Sequence, residues 1–340
     1  MKGAGGMTIR ERQERDEEAR LSPYAALSSR SAGRAHLIST CDLRTCYQRD
    51  RDRIIHCKSF RRLKYKTQVF LTPMGDHYRT RLTHTLEVSQ VARTLARSLR
   101  LNEDLTEAAA LGHDLGHTPF GHIGESTLNR LLPGGFRHNE QSLRVAERLE
   151  NDGAGLNLCR ETLDGILNHS GQNEPKTLEG WCVRRADRIA YINHDIDDAI
   201  RGGILKPFEL PRRCLSVLGE THGERIDTMI RDIVTTSLDQ PFVKMSEEVR
   251  QASEELRAFL FEYVYHDDWR KKEEARCDYI LSALYEHYLA HPEQLPAEYL
   301  EINFTEGAER AVCDFIACMT DRYAIDQFSE IFVPGAFGRR

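Results

Sequence analysis

Apolar residues in this 340-residue chain recur at helical spacing almost throughout, and sustained period-two alternation is nearly absent. After Arg81, the residues His84, Val88, Val91, Leu95 and Leu99 form one stripe at steps of three and four, which places them on a single helix face. Thr106 to Leu111 leads a second helix into His113 and Asp114, and residues 184–200, 247–265 and 273–289 read as further helices. Glycines and prolines gather at breaks between the stripes, as in Thr72-Pro73-Met74-Gly75 and Pro133-Gly134-Gly135. A short hairpin over 69–78 is the one expected departure. The pattern therefore predicts an all-α chain: a polar N-terminal arm over 1–40, partly flexible, then a helical domain over 41–340 that ends in a helical extension.

Composition narrows the function classes. Hydrophobic residues make up 40% and charged residues 29%, the balance of a folded, well-solvated chain rather than a disordered one. No apolar run approaches the ~18 residues of a membrane span. The start lacks the apolar block of a signal peptide, and its Gly-rich flank leaves open whether Met1 or Met7 is the natural start. Nine cysteines without a CxxC pair suggest free thiols in a reducing compartment, so a cytoplasmic location is expected. A net charge of −6 argues against a general nucleic-acid coat. Within it, Arg61, Arg62, Lys64 and Lys66 cluster, with Arg79 and Arg81 close behind. Such a cluster suits a small polyphosphate, or else is an ordinary solvated helix face.

The run from Gly112 to Glu125 carries His113, His117 and His122 with Asp114 and Glu125. His113 and Asp114 offer the neutral nitrogen and anionic oxygen that divalent ions favour. Pro119 should end the preceding helix at Thr118. A new helix starting near Gly121 puts His122 and Glu125 three apart on one face, where the carboxylate would orient and charge the imidazole. His84 lies on the apolar stripe, as a core histidine or a ligand. Downstream, Asp187, Tyr191 and Asp195 share one helix face that continues through Asp198. A metal with a hydroxylated substrate would account for that face; so would a salt-bridged surface.

His84, His113-Asp114 and Asp187 together resemble the H…HD…D signature of the HD-domain metal phosphohydrolases. Phe60-Arg61-Arg62-Leu63, Arg79 to His84, His113 to Glu125, Gly135 to Gln141, Ala186 to Asp198 and Met319 to Ala324 resemble the dGTP triphosphohydrolase branch of that family. The likeness covers roughly residues 40 to 335. It implies an HD-domain helical bundle with its core at about 80–200, and a reaction that splits a deoxynucleoside triphosphate into deoxynucleoside and tripolyphosphate. It implies that His84, His113, Asp114 and Asp187 hold one divalent ion (Mn²⁺, Mg²⁺ or an iron-group ion), with a second ion possible on the substrate phosphates. His122 matches the catalytic histidine, Glu125 its carboxylate and His138 a second active-site histidine. Arg81, His117 and Arg188 match phosphate contacts. Tyr191 matches the residue beneath the deoxyribose, Asp195 the acceptor of its 3′-hydroxyl, and Arg61 a sugar-contacting slot. A homo-oligomer, an allosteric deoxynucleotide and secondary single-strand binding through Arg61 to Lys66 are further implications, and no membrane partner is expected. His169 and His194 read as local structural residues.

Overall fold

The structure, a computed structural model, describes residues 6–68, 79–263 and 268–334. Among the described residues there are sixteen α-helices and no strand. The first eight are α1 (Ile9–Arg20), α2 (Cys46–His56), α3 (Lys58–Arg62), α4 (Arg81–Ser98), α5 (Glu103–Gly112), α6 (His122–Leu131), α7 (His138–Arg144) and α8 (Arg160–Asn168). They are followed by α9 (Leu178–Arg201), α10 (Arg212–Leu218), α11 (His222–Ser237), α12 (Glu247–Tyr263), α13 (Asp268–Ala290), α14 (Ala297–Glu306), α15 (Ala308–Ala317) and α16 (Asp321–Phe332). The hairpin expected at 69–78 falls outside the described residues.

Local chemistry sets most helix starts. The side chains of Thr8, Thr45, Thr80, Asn102, Thr177, Thr221 and Thr320 each accept a backbone N–H from the first turn of the helix that follows. Each such cap satisfies a donor that the helix itself leaves open. The Thr177 cap starts α9 six residues before the expected Arg184, giving a rod of about 36 Å. In contrast, α5 stops at Gly112, well before Thr118, so the residues from His113 to Gly121 form a loop rather than a helix end.

The main core forms where α4 lies along α9: Val88, Val91, Ala92 and Leu95 pack against Val183, Ala186, Ile189 and Ile196. A second core joins α6 to α13, α15 and α16 through Leu128, Leu281, Leu284, Val312 and Ile316. This C-terminal extension braces the loop from His113 to Gly121. Asp321 accepts the Phe120 and Thr67 backbone N–H groups, each at 2.9 Å. Lys66 donates to the carbonyls of His117 and Ala317. Lys66 is therefore buried, whereas Arg61 and Lys64 are exposed, so the basic cluster of the sequence does not form one surface.

Within residues 6–40, Ser28 binds Glu17 of α1, while Ala26 N–H donates to Glu179 of α9 at 3.0 Å and Arg34 bridges to Cys159. The Arg34 guanidinium pairs with Asp50, and the two side chains are only 7% and 0% exposed. Asp50 also accepts from Cys159 N–H at 2.8 Å and from the Thr162 hydroxyl at 2.7 Å. Removing the cation strands a buried carboxylate, which is far more costly than removing the pair together. Arg34→Met should accordingly lower unfolding stability by about 3–5 kcal/mol. Denaturant titration checks this; a loss under about 1 kcal/mol would mean that the arm contributes little.

Candidate active site

The loop from His113 to Gly121 meets several helices in one cavity of ≈ 540 Å³. α4 contributes Arg81 and His84 from its first turns, and α9 contributes Asp187, Arg188 and Tyr191 from its middle. α7 contributes His138 from its N-terminus, and His169 follows the last residue of α8. Close backbone approach holds the loop in place. A Cβ on Gly116 would sit 2.1 Å from Ser142 N, so only glycine lets the loop rest on α7. There the Ser142 hydroxyl accepts from Gly116 N–H at 2.9 Å and reaches the His113 carbonyl at 2.7 Å.

The four residues of the H…HD…D pattern converge. One ligand-type atom from each of His84, His113 and Asp114 lies within 4.8 Å of the other two. Asp187 Oδ1 stands 3.2 Å from His84 Nε2 and 3.9 Å from His113 Nε2. His113 Nδ1 lies 2.6 Å from the Ala110 carbonyl and must donate to it, which leaves Nε2 as the ring's lone-pair nitrogen. That Nε2 is buried and has no hydrogen-bond partner. A buried orphan acceptor beside two carboxylates fits a divalent cation, since a cation satisfies all of them together. Burial opposes ionisation of Asp114, but His113 and Arg81 outweigh it and hold the carboxylate well below its ordinary range. Arg81 NH1 is 2.7 Å from Asp114 Oδ2. Asp187 is likewise held low against burial, chiefly by its hydrogen bond with His84.

Beside the quartet stands a group of histidines. Glu125 accepts both the backbone N–H and the ring Nδ1–H of His138 at 2.9 Å. His122 Nδ1 is farther from the same carboxylate, at 3.6 Å. Helix spacing alone suggested Glu125 as the partner of His122; the fold brings α7 close enough that His138 takes the hydrogen bonds. His169 Nδ1 donates to the Ile166 carbonyl at 2.7 Å, so its Nε2 can only accept, and His138 Nε2 faces it at 3.2 Å. Both His138 nitrogens are thus placed to donate, an arrangement that favours the charged ring. Burial alone would lower its pKa, but Glu125 outweighs this and raises it above the ordinary value. Burial, with the neighbouring His113 and His138, pushes His169 down to about 3. His117 is also lowered, by burial and then Arg81, and its ring stacks on His138 at 4.9 Å.

Other expected residues divide. Arg81, His117, His122, Arg188 and Tyr191 line the cavity. Asp195 does not; it is 2% exposed, one turn farther along α9. Arg61 lies outside the cavity, exposed, with its guanidinium donating to the His56 carbonyl at 2.9 Å. Gln68 from the following segment lines the cavity instead. His194 packs edge-on to His84 at 5.9 Å and stacks on His222, a buried support rather than a lining residue. The sequence reading missed His169 as a lining residue, together with Arg184 and Arg257. A signal for His169 was present: like His113, it directly follows an apolar helix and bonds the carbonyl three residues back.

Comparison with known proteins adds the following. Residues 81–192 match the HD domain, and residues 243–330 match the phosphohydrolase-associated domain. The deoxyguanosinetriphosphate triphosphohydrolase-like protein of Caldanaerobacter subterraneus subsp. tengcongensis is 58% identical over 328 residues, covering 96% of this chain and 97% of that one. The protein of the same description from Clostridium perfringens (strain 13 / Type A) is 51% identical over 337 residues, covering 96% and 98%. A solved structure of a hypothetical protein from Aquifex aeolicus is 22% identical with a TM-score of 0.36, covering 85% of this chain and 69% of that one, a likeness too low to carry an argument.

Proposed function

This chain belongs to the deoxyguanosinetriphosphate triphosphohydrolase-like proteins of the HD-domain phosphohydrolases, and from that premise we propose that it hydrolyses a deoxynucleoside triphosphate to deoxynucleoside and tripolyphosphate. The observation that carries the reading is a single cavity with two kinds of lining. A His/Asp quartet able to hold a divalent ion stands against cationic side chains, Arg81, Arg188 and Arg257, that suit a polyphosphate. In this reading His84, His113, Asp114 and Asp187 hold the ion, which when bound supplies Lewis acidity at the attacked phosphoryl group.

The residues of the chain do the rest. Water attacks the α-phosphorus, the bond to the 5′ oxygen breaks, and that oxygen leaves as the deoxynucleoside hydroxyl. An alkoxide is a poor leaving group, so a proton must reach it as the bond breaks. His122 lines the cavity with its side chain 66% exposed, and in this reading it is the donor. Glu125 stands beyond it and favours the charged form of His138, which would set a positive charge toward the phosphates. Arg81, His117 and Arg188 contact phosphate oxygens, whereas Asp195, outside the cavity lining, is left out of the sugar contacts.

Tyr191 packs beneath the sugar, where its ring excludes a 2′-hydroxyl. Tyr191→Ala should therefore relax discrimination against ribonucleoside triphosphates by about 10–100-fold in kcat/KM ratio. An unchanged ratio would remove Tyr191 from that role. The reading as a whole is tested by incubating the protein with each of the four deoxynucleoside triphosphates, singly and mixed, with Mn²⁺ or Mg²⁺. Tripolyphosphate is the expected product; pyrophosphate or orthophosphate would assign the site to another nucleotide hydrolysis, and no product would favour a binding role.

A further inference from the structure

Helix α9 runs along the cavity, and its residues change character in order. Along the helix axis Tyr191 stands about 6 Å after Asp187, Arg184 about 4.5 Å before it and Trp181 about 9 Å before it. Helix side chains lean toward the N-terminus, so the guanidiniums of Arg188 and Arg184 reach back along the same line. In the proposed reading the sugar lies at Tyr191 and the attacked phosphorus beside Asp187. The outer phosphates then point toward the N-terminal end of α9.

Elsewhere in the fold, Arg34, Arg79, Arg144 and Arg250 each pair with a carboxylate. Among the described residues, Arg184, Arg185, Arg188 and Arg257 form no ion pair. Glu254 and Glu174 act on Arg185 less than Arg188 and Arg184 do, and Glu254 pairs instead with Arg250 at 2.6 Å. Arg184 is held by the backbone. It donates to the carbonyls of Asn168 at 3.2 Å, Gly171 at 2.6 Å and Asn173, which brings that segment into the cavity wall. Arg185 donates through Nε to the Val243 carbonyl at 3.2 Å; its two terminal nitrogens have no hydrogen-bond partner among the described residues. Both guanidiniums lie over Trp181, at 5.5 and 5.0 Å from the ring centroid, a contact that holds them without neutralising them. Burial, then Arg188 and Arg184, push Arg185 down to about 10, which leaves it charged at neutral pH.

Like charges crowded together without a carboxylate between them repel, and an anion relieves the repulsion. Arg81, Arg188 and Arg257 already serve the triphosphate in the proposed reading, and Arg184 is committed to carbonyls. Arg185 lies outside the cavity lining, one step farther along the same path, with donors to spare. We infer that Arg185, positioned by Trp181, extends the phosphate path past the third phosphate, so that the site also cleaves deoxynucleoside 5′-tetraphosphates. The chemistry is unchanged. The water oxygen bonds to the α-phosphorus, the bond to the 5′ oxygen breaks, and the proton that water gives up balances the one this oxygen takes. Tetrapolyphosphate leaves in place of tripolyphosphate. The inference rests on the proposed reading and adds to it a preference for chain length.

The test measures binding apart from turnover. The full chain, stripped with chelator, is titrated by calorimetry with inorganic tripolyphosphate and with tetrapolyphosphate at one ionic strength. Tetrapolyphosphate should bind about tenfold more tightly or better, the gain expected of one further charge-assisted contact. Arg185→Gln and Trp181→Leu should each remove that preference, because the shorter chain does not reach Arg185. The two variants alter different side chains, so poor folding of one does not decide the matter. Equal affinities in the wild-type chain, or a preference that survives both substitutions, would overturn the inference. Tighter binding of a single-stranded oligonucleotide than of either polyphosphate, lost in the same variants, would assign Arg185 to a nucleic-acid backbone and overturn it too. Release of tripolyphosphate by a chain with no length preference would refute the inference and leave the proposed reaction standing. A length preference in a chain inert toward every deoxynucleotide would refute the reaction and leave the fourth-phosphate contact standing.

Discussion

Asp187→Asn is expected to abolish nucleotide hydrolysis and to weaken Mn²⁺ binding at the quartet by more than ~10²-fold, with the chain still folded. The magnitude follows from comparison: losing a residue that merely orients a ligand costs about 10–100-fold in metal affinity, and losing a ligand costs at least as much. The substitution keeps the side chain's size and removes its charge. It also replaces the anionic partner of His84 Nε2 with a neutral amide. Folding should survive, because α9 is anchored by Val183, Ala186, Ile189 and Ile196 on the opposite side of the helix from the cavity. Mn²⁺ titration read beside turnover checks both halves. Wild-type affinity and turnover in this variant would remove Asp187 from the ligand set.

His122→Ala should act on a different term. It is expected to lower kcat by ~10²–10⁴-fold, the usual contribution of a general acid, with KM and Mn²⁺ binding nearly unchanged. An interaction made only as the leaving group departs lowers kcat and kcat/KM together, and that split distinguishes a proton donor from a binding residue. The side chain of His122 is 66% exposed and makes no short hydrogen bond to Glu125, so its loss should move stability by no more than about 0.5 kcal/mol. The Glu125–His138 pair stays intact in the variant. Unchanged turnover would pass the donor role to His138, the other cavity-lining histidine beside Glu125.

Much of this architecture was legible from residue spacing, because helices announce themselves locally. The stripe from His84 to Leu99 is the face of α4 that packs on α9, whereas the Thr177 cap that starts α9 ahead of Arg184 went unread. His113 and Asp114 were visible for the same reason, being adjacent in sequence. The association of Asp187 with them rested on a resemblance, since no local rule joins residues so far apart in the chain. The failures share one physical cause: which neighbour a side chain meets is decided by tertiary packing. Glu125 lies three residues from His122, yet its hydrogen bonds go to His138, which α7 carries in from across a turn. Arg61 and Lys66 are close in sequence, yet one is solvated and the other is buried against two carbonyls. The polar composition of residues 1–40 suggested a loose arm; the buried Arg34–Asp50 pair, which ties Arg34 to α2, leaves no periodic signature in the sequence. His169 resembled an ordinary helix-end residue because its partner, His138, is supplied by another helix.

The claim on which the account depends is that water attacks the α-phosphorus and expels the whole triphosphate from the sugar. Hydrolysis in ¹⁸O-labelled water, with both products analysed by mass spectrometry, addresses it directly. The account predicts one labelled oxygen in tripolyphosphate and none in the deoxynucleoside. Label in orthophosphate or pyrophosphate, or on the 5′-hydroxyl of the deoxynucleoside, would contradict it.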